Sequence, residues 1–68
     1  MTVDDIRSRV VVVRVWAIDH EELEKAHKEE AKIWEDVLQA IADGAGQPAE
    51  LAKAALETRY VKYPRGFA

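Results

Sequence analysis

The spacing of apolar and polar positions divides this chain into two unlike parts. From Asp19 to Gly44 the apolar residues recur at helical intervals. Leu23, Ala26, Ile33, Trp34, Val37, Ala40 and Ile41 fall on one side of a helix turning about 100° per residue. Leu38 widens that stripe, while Lys25, Lys28, Lys32, Glu35 and Asp36 lie away from its centre. Asp19 can accept hydrogen bonds from the first free amides, and Glu22 completes a capping-box-like pair. Glu21, Glu22 and Glu24 place negative charge at the positive end of the helix dipole. Gly44 supplies the left-handed residue that commonly ends a helix. A long helix over about 20–43 is predicted.

The stretch before it reads differently. Ile6 to Ile18, IRSRVVVVRVWAI, is dense in β-branched residues and predicts a strand over about 6–18. One face would carry Val10, Val12, Arg14, Trp16 and Ile18, the other Arg9, Val11, Val13, Val15 and Ala17. Both are largely apolar, so such a strand needs cover on both sides and a partner along its edge. The chain offers only a possible short C-terminal strand at about 60–63, YVKY, so pairing with a second copy of the first strand is the favoured expectation. Residues 1–5 are a polar lead-in. Pro48 suits the first position of a second helix over about 48–58, with Leu51, Ala54, Ala55 and Thr58 inward and Leu56 off that face. Residues 64–68 form a tail. The expected fold class is α+β: one small β-α-α domain over 1–68, completed by oligomerisation or a partner.

Composition sharpens this expectation. A chain of 68 residues buries only roughly 60% of its unfolded surface. With no cysteine, neither a disulfide nor a thiolate metal site supplements the core. Association is then the remaining source of stability. A net charge of −3 argues against a general nucleic-acid or membrane-surface binder. The longest apolar run, Val10 to Val13, falls far short of a membrane span, and no export signal is visible at the N-terminus. The expectation is a soluble, cytoplasmic protein.

Few residues suggest chemistry. Glu30 interrupts the long helix's apolar stripe beside Ile33, Trp34 and Val37, and a carboxylate there needs a partner. Arg14, the charge inside the valine run, is the natural candidate for a buried ion pair with it. His20, Glu24 and His27 share one side of the helix, and Glu24 with His27 forms the E-x-x-H spacing used in helical di-iron sites. Their neighbours are glutamates and lysines, so a solvated face is the stronger reading and no cofactor or metal is expected. Ser8 is the only serine, and no Gly-rich phosphate cradle is present. An enzyme is therefore not expected, although an accessory subunit of one is compatible with this sequence. Trp16, Trp34, Tyr63 and Phe67 join Val11, Val13 and Val15 as candidate interface residues, since aromatic side chains are enriched among interface anchors.

In its order of strand, helix, glycine-containing turn and helix, the stretch from Arg7 to about Thr58 resembles the ribbon-helix-helix DNA-binding repressors. The resemblance implies a dimer whose paired strands enter the major groove, with Arg7, Arg9 and Arg14 as base or phosphate contacts. The long first helix, the valines on both strand faces and the acidic body all depart from that pattern. The leading expectation is a non-enzymatic interaction or assembly subunit that self-associates or docks through its valine-rich segment and amphipathic helix. The repressor and a helical metal-binding oligomer are the alternatives.

Overall fold

The valine-rich segment is a helix, not a strand. The computed structural model describes residues 1–64, and His20 by its backbone alone. It shows α1 over Val3–Ile18, α2 over Leu23–Ala42 and α3 over Pro48–Leu56. Short 3-10 turns at His20–Glu22 and Glu57–Tyr60 precede α2 and follow α3. No strand occurs among the described residues. The expected α+β class, the strand over 6–18 and the short strand over 60–63 are all corrected by this arrangement, which is a three-helix bundle.

The start of α1 is set locally. Thr2 Oγ1 accepts from the Asp5 amide at 3.1 Å, and Asp5 Oδ2 accepts from the Thr2 amide at 2.9 Å. That reciprocal pair is a capping box, and Asp4 and Asp5 add negative charge to the first turn. The supposed lead-in is therefore the helix's own start signal. Beyond it, Ile6, Val10 and Val13 are buried at spacings of four and three, while Val3, Trp16 and Ala17 pack partly against the same core. Six valines in this helix each cost at most about 0.7 kcal/mol relative to alanine. Burial of Ile6, Val10 and Val13 returns about 1.5–3 kcal/mol for each side chain. Tertiary burial outweighs β propensity.

Asp19 ends α1 and turns the chain. Its side chain accepts from the Glu21 amide at 2.9 Å, and α2 begins one 3-10 turn later. Ala26, Glu30, Ile33 and Val37 of α2 are buried. At its far end, the Gly44 amide donates to Ile41 O and the Ala45 amide to Ala40 O, both at 3.0 Å. These are the two bonds of a Schellman stop, and they put Gly44 at φ 89°, where a side chain would be strained. Gln47 also adopts a left-handed conformation before Pro48 opens α3. Leu51, Ala54, Ala55 and Thr58 close the core from the third side. Val61, beyond the last turn, is buried with them.

A strand and a helix make opposite forecasts for neighbouring valines. Val11, Val13 and Val15 would share one face of a strand. In α1, Val13 is 0% exposed whereas Val15 is 58% exposed. Val13→Lys is expected to abolish the cooperative thermal transition followed by far-UV circular dichroism. Val15→Lys is expected to shift stability by no more than about 0.5 kcal/mol.

Candidate functional site

Helix α1 is tied to α2 by one arginine. Arg9 Nε donates to Glu29 Oε1 at 2.8 Å, and Arg9 Nη1 donates to Asp36 Oδ2 at 2.8 Å. Glu29 and Asp36 stand two turns apart on α2, so one guanidinium spans a third of that helix. Partial burial opposes the Arg9 charge, but the hydrogen bonds to Glu29 and Asp36 prevail and hold its pKa above the ordinary value. The hydrogen bond from Arg9 holds the Asp36 carboxyl below the usual range, assisted by Lys32. Arg7 reaches Glu57 at 3.1 Å and joins α1 to the turn after α3.

Glu30 is buried, as its place in the stripe requires, and the Tyr63 hydroxyl donates to its Oε2. Arg14 is exposed and is not brought to Glu30. The physical reason is the helical turn. Arg14 follows Val13 by one residue, and its side chain leaves the core where a strand would have let it face α2. Tyr63, expected as an interface residue, is instead half-buried and reaches Glu30 from the segment after α3.

Trp34 bridges α2 to α3. Its Nε1 donates to Thr58 Oγ1 at 3.0 Å and to Ala55 O at 3.2 Å. The ring is still partly exposed, and with His27, Glu30 and Ala31 it lines a cavity of about 120 Å³. Glu24 is exposed and pairs with Lys28 at 3.1 Å. Among the described residues, no group of three or more His, Cys, Asp or Glu side chains stands close enough to hold a metal ion. The side chain of His20 lies outside what is described, and so does Phe67.

The remaining surface is unusual for where its apolar atoms lie. On α1, Val11, Val15 and Ile18 form an exposed stripe at spacings of four and three, with Ile18 78% exposed and Val12 beside it. On another side, Leu38 is 67% exposed and Leu56 44% exposed. With Trp34, Val37, Ile41, Ala52 and Ala55 they line a groove of about 230 Å³ between α2 and α3. Trp16 lies in a third, shallower groove of about 210 Å³ with Lys25, Lys28, Glu29 and Lys32. Each of those lysines pairs with a carboxylate of α2 or of the turn before it, so that groove is close to charge-balanced.

Of the expected interface residues, Val11 and Val15 are exposed, Val13 is core, Trp16 is half-buried and Trp34 lines the α2–α3 groove. Leu38 and Ile18 lie outside the expected interface set, and Leu56 is expected only to lie off the inward face of its helix and to seek a separate contact. The available signal was that Leu38 and Leu56 each sit to one side of their helix's inward stripe. No helix among the described residues is long and apolar enough to cross a membrane. Comparison with known protein families, curated proteins and solved structures finds no match.

Two stability experiments follow from these contacts. Tyr63→Phe removes one hydrogen bond to the buried Glu30 carboxylate and should lower unfolding free energy by about 1–3 kcal/mol in urea titration. Asp36 and Asp5 both have folded pKa values lowered, by Arg9 and by the Thr2 hydrogen bonds respectively. The unfolded value is about 3.9, so their contribution is complete above about pH 5 and is lost as pH falls through the lower folded values. Asp36→Asn should therefore shrink the drop in melting temperature between neutral pH and about pH 3.

Proposed function

We propose that this protein is a non-enzymatic interaction subunit that binds through helix faces. The observation that supports this reading is the concentration of exposed large apolar side chains into two continuous surfaces: the Val11–Val15–Ile18 stripe and the Trp34–Leu38–Leu56 groove. Scattered apolar residues are ordinary on a protein surface, but continuous apolar patches mark interaction sites. The mechanism is burial of these side chains against another protein, at about 1.5–3 kcal/mol for each one covered.

The ribbon-helix-helix alternative required Ile6–Ile18 to be a ribbon, and that segment is α1. It is set aside on that ground. The docking element is instead a helix surface, so recognition would follow helix-in-groove or helix-on-helix packing.

Photo-crosslinking tests the reading. A benzophenone side chain placed at position 38 or at position 15 should yield one discrete protein adduct in cells. The same group at position 32, on the charged face of α2, should yield none. Indiscriminate labelling from all three positions would count against an interaction surface.

A further inference from the structure

We infer that the α2–α3 groove is the contact between two copies of this chain, packed about a two-fold axis running along the groove. This deepens the interaction reading above and rests on it. Unlike charges lie one turn before the two groove leucines, Glu35 before Leu38 and Lys53 before Leu56. The three-residue spacing puts each on the same side of its helix as that leucine. On the α2 side stands Glu35, exposed and in no ion pair among the described residues. On the α3 side stand Lys53 and Arg59, both exposed. Lys53 reaches only Glu50, at 3.9 Å, and Arg59 lies over the Tyr60 ring with a hydrogen bond to its hydroxyl. Glu57, which could have balanced that edge, is drawn away to Arg7 of α1.

The heights along the groove agree with this pairing. Trp34 bonds to Ala55 and Thr58, while Ile41 lines the groove with Ala52, so α2 and α3 run antiparallel. Glu35, next to Trp34, then stands level with the stretch of α3 between Lys53 and Arg59. A two-fold axis along the groove keeps each residue at its own height but exchanges the sides. It sets α2 of one copy over α3 of the second, and Glu35 of each copy over the Lys53 side of the other. Leu38 and Leu56 enter the facing groove, where Ala52 and Ala55 leave room for them. An axis perpendicular to the helices would instead set α3 against α3 and bring like charges together.

The area sets the strength. Helix α3 and the turn after it span about 20 Å, and two helices side by side are about 20 Å across. Two such faces would bury on the order of 800–1,000 Å² in total, below the roughly 1,200–2,000 Å² of stable specific interfaces and within the range of weak, transient ones. The dimer is therefore a weak one, exchanging with monomer on dilution.

Sedimentation equilibrium from low micromolar to millimolar concentration tests this. The unmodified chain should pass from one copy to two, and Leu38→Glu should remain a monomer with unchanged helical circular dichroism. Glu35→Lys and Lys53→Glu should each weaken the dimer roughly two- to thirtyfold, because symmetry counts every pair twice. The double variant Glu35→Lys/Lys53→Glu should restore most of it. A chain that stays monomeric throughout, or a dimer indifferent to Leu38→Glu, overturns the inference. Single charge variants whose losses simply add in the double variant also overturn it. The interaction reading fails separately, through the crosslinking result: a monomer that still gives a discrete adduct of other mass from position 38 sinks the dimer alone.

Discussion

Everything in this small bundle depends on α1 burying one narrow stripe. Ile6, Val10 and Val13 are the only fully buried side chains that the first helix supplies, and they meet Ala26, Ile33 and Val37 of α2 and Leu51, Ala54 and Ala55 of α3. Alanines at three of those positions let the helices approach closely, so the core is tight but small. With so little buried volume, no layer is redundant. The polar ties across it therefore matter for register: Arg9 fixes α1 against two turns of α2, and Trp34 fixes α2 against the end of α3.

Glu30 shows how a polar group can hold a position inside such a core. A buried carboxylate without hydrogen bonds is costly, and the Tyr63 hydroxyl meets part of that need. The consequence is topological. Tyr63 lies beyond α3, so satisfying Glu30 requires the segment after the last turn to fold back along α2. Val61, buried two residues earlier, holds the same segment from its apolar side. The exposed apolar surfaces are then what remains: the outer stripe of α1, and the groove that α2 and α3 leave open beside their outward leucines.

The two later helices were legible because their signals agree with one another. Asp19, Gly44 and Pro48 all occur at turning points, and the α2 stripe has helical period. The first helix also carried its signals, but they were masked. Val3, Ile6, Val10, Val13 and Ala17 recur at three- and four-residue spacing, and Thr2 with Asp5 spells a capping box. Val11, Val12 and Val15 fill the intervening positions, so hydropathy loses its period and residue propensity points to a strand. The site was legible only in part for the same reason. A strand places Val11, Val13 and Val15 together, whereas a helix sends Val13 inward and leaves the other two outside. Glu30 was conspicuous as a carboxylate in an apolar stripe, yet its partner Tyr63 is 33 residues away in the chain, and no local pattern joins them.

The valines of α1 have one more consequence, for the unfolded chain. As a helix, RVVVVRVW is held in place by neighbours that form only when α2 and α3 are assembled. Before that, Val10 to Val13 within it combine strong β propensity with no charge and no proline, the composition of an aggregation-prone core. Local preference and native structure disagree over these residues, so the folding landscape is frustrated there. Arg9 and Arg14 flank the four valines, the placement of charges that opposes such pairing. A lapse in the packing of α1 therefore exposes the chain's most aggregation-prone stretch.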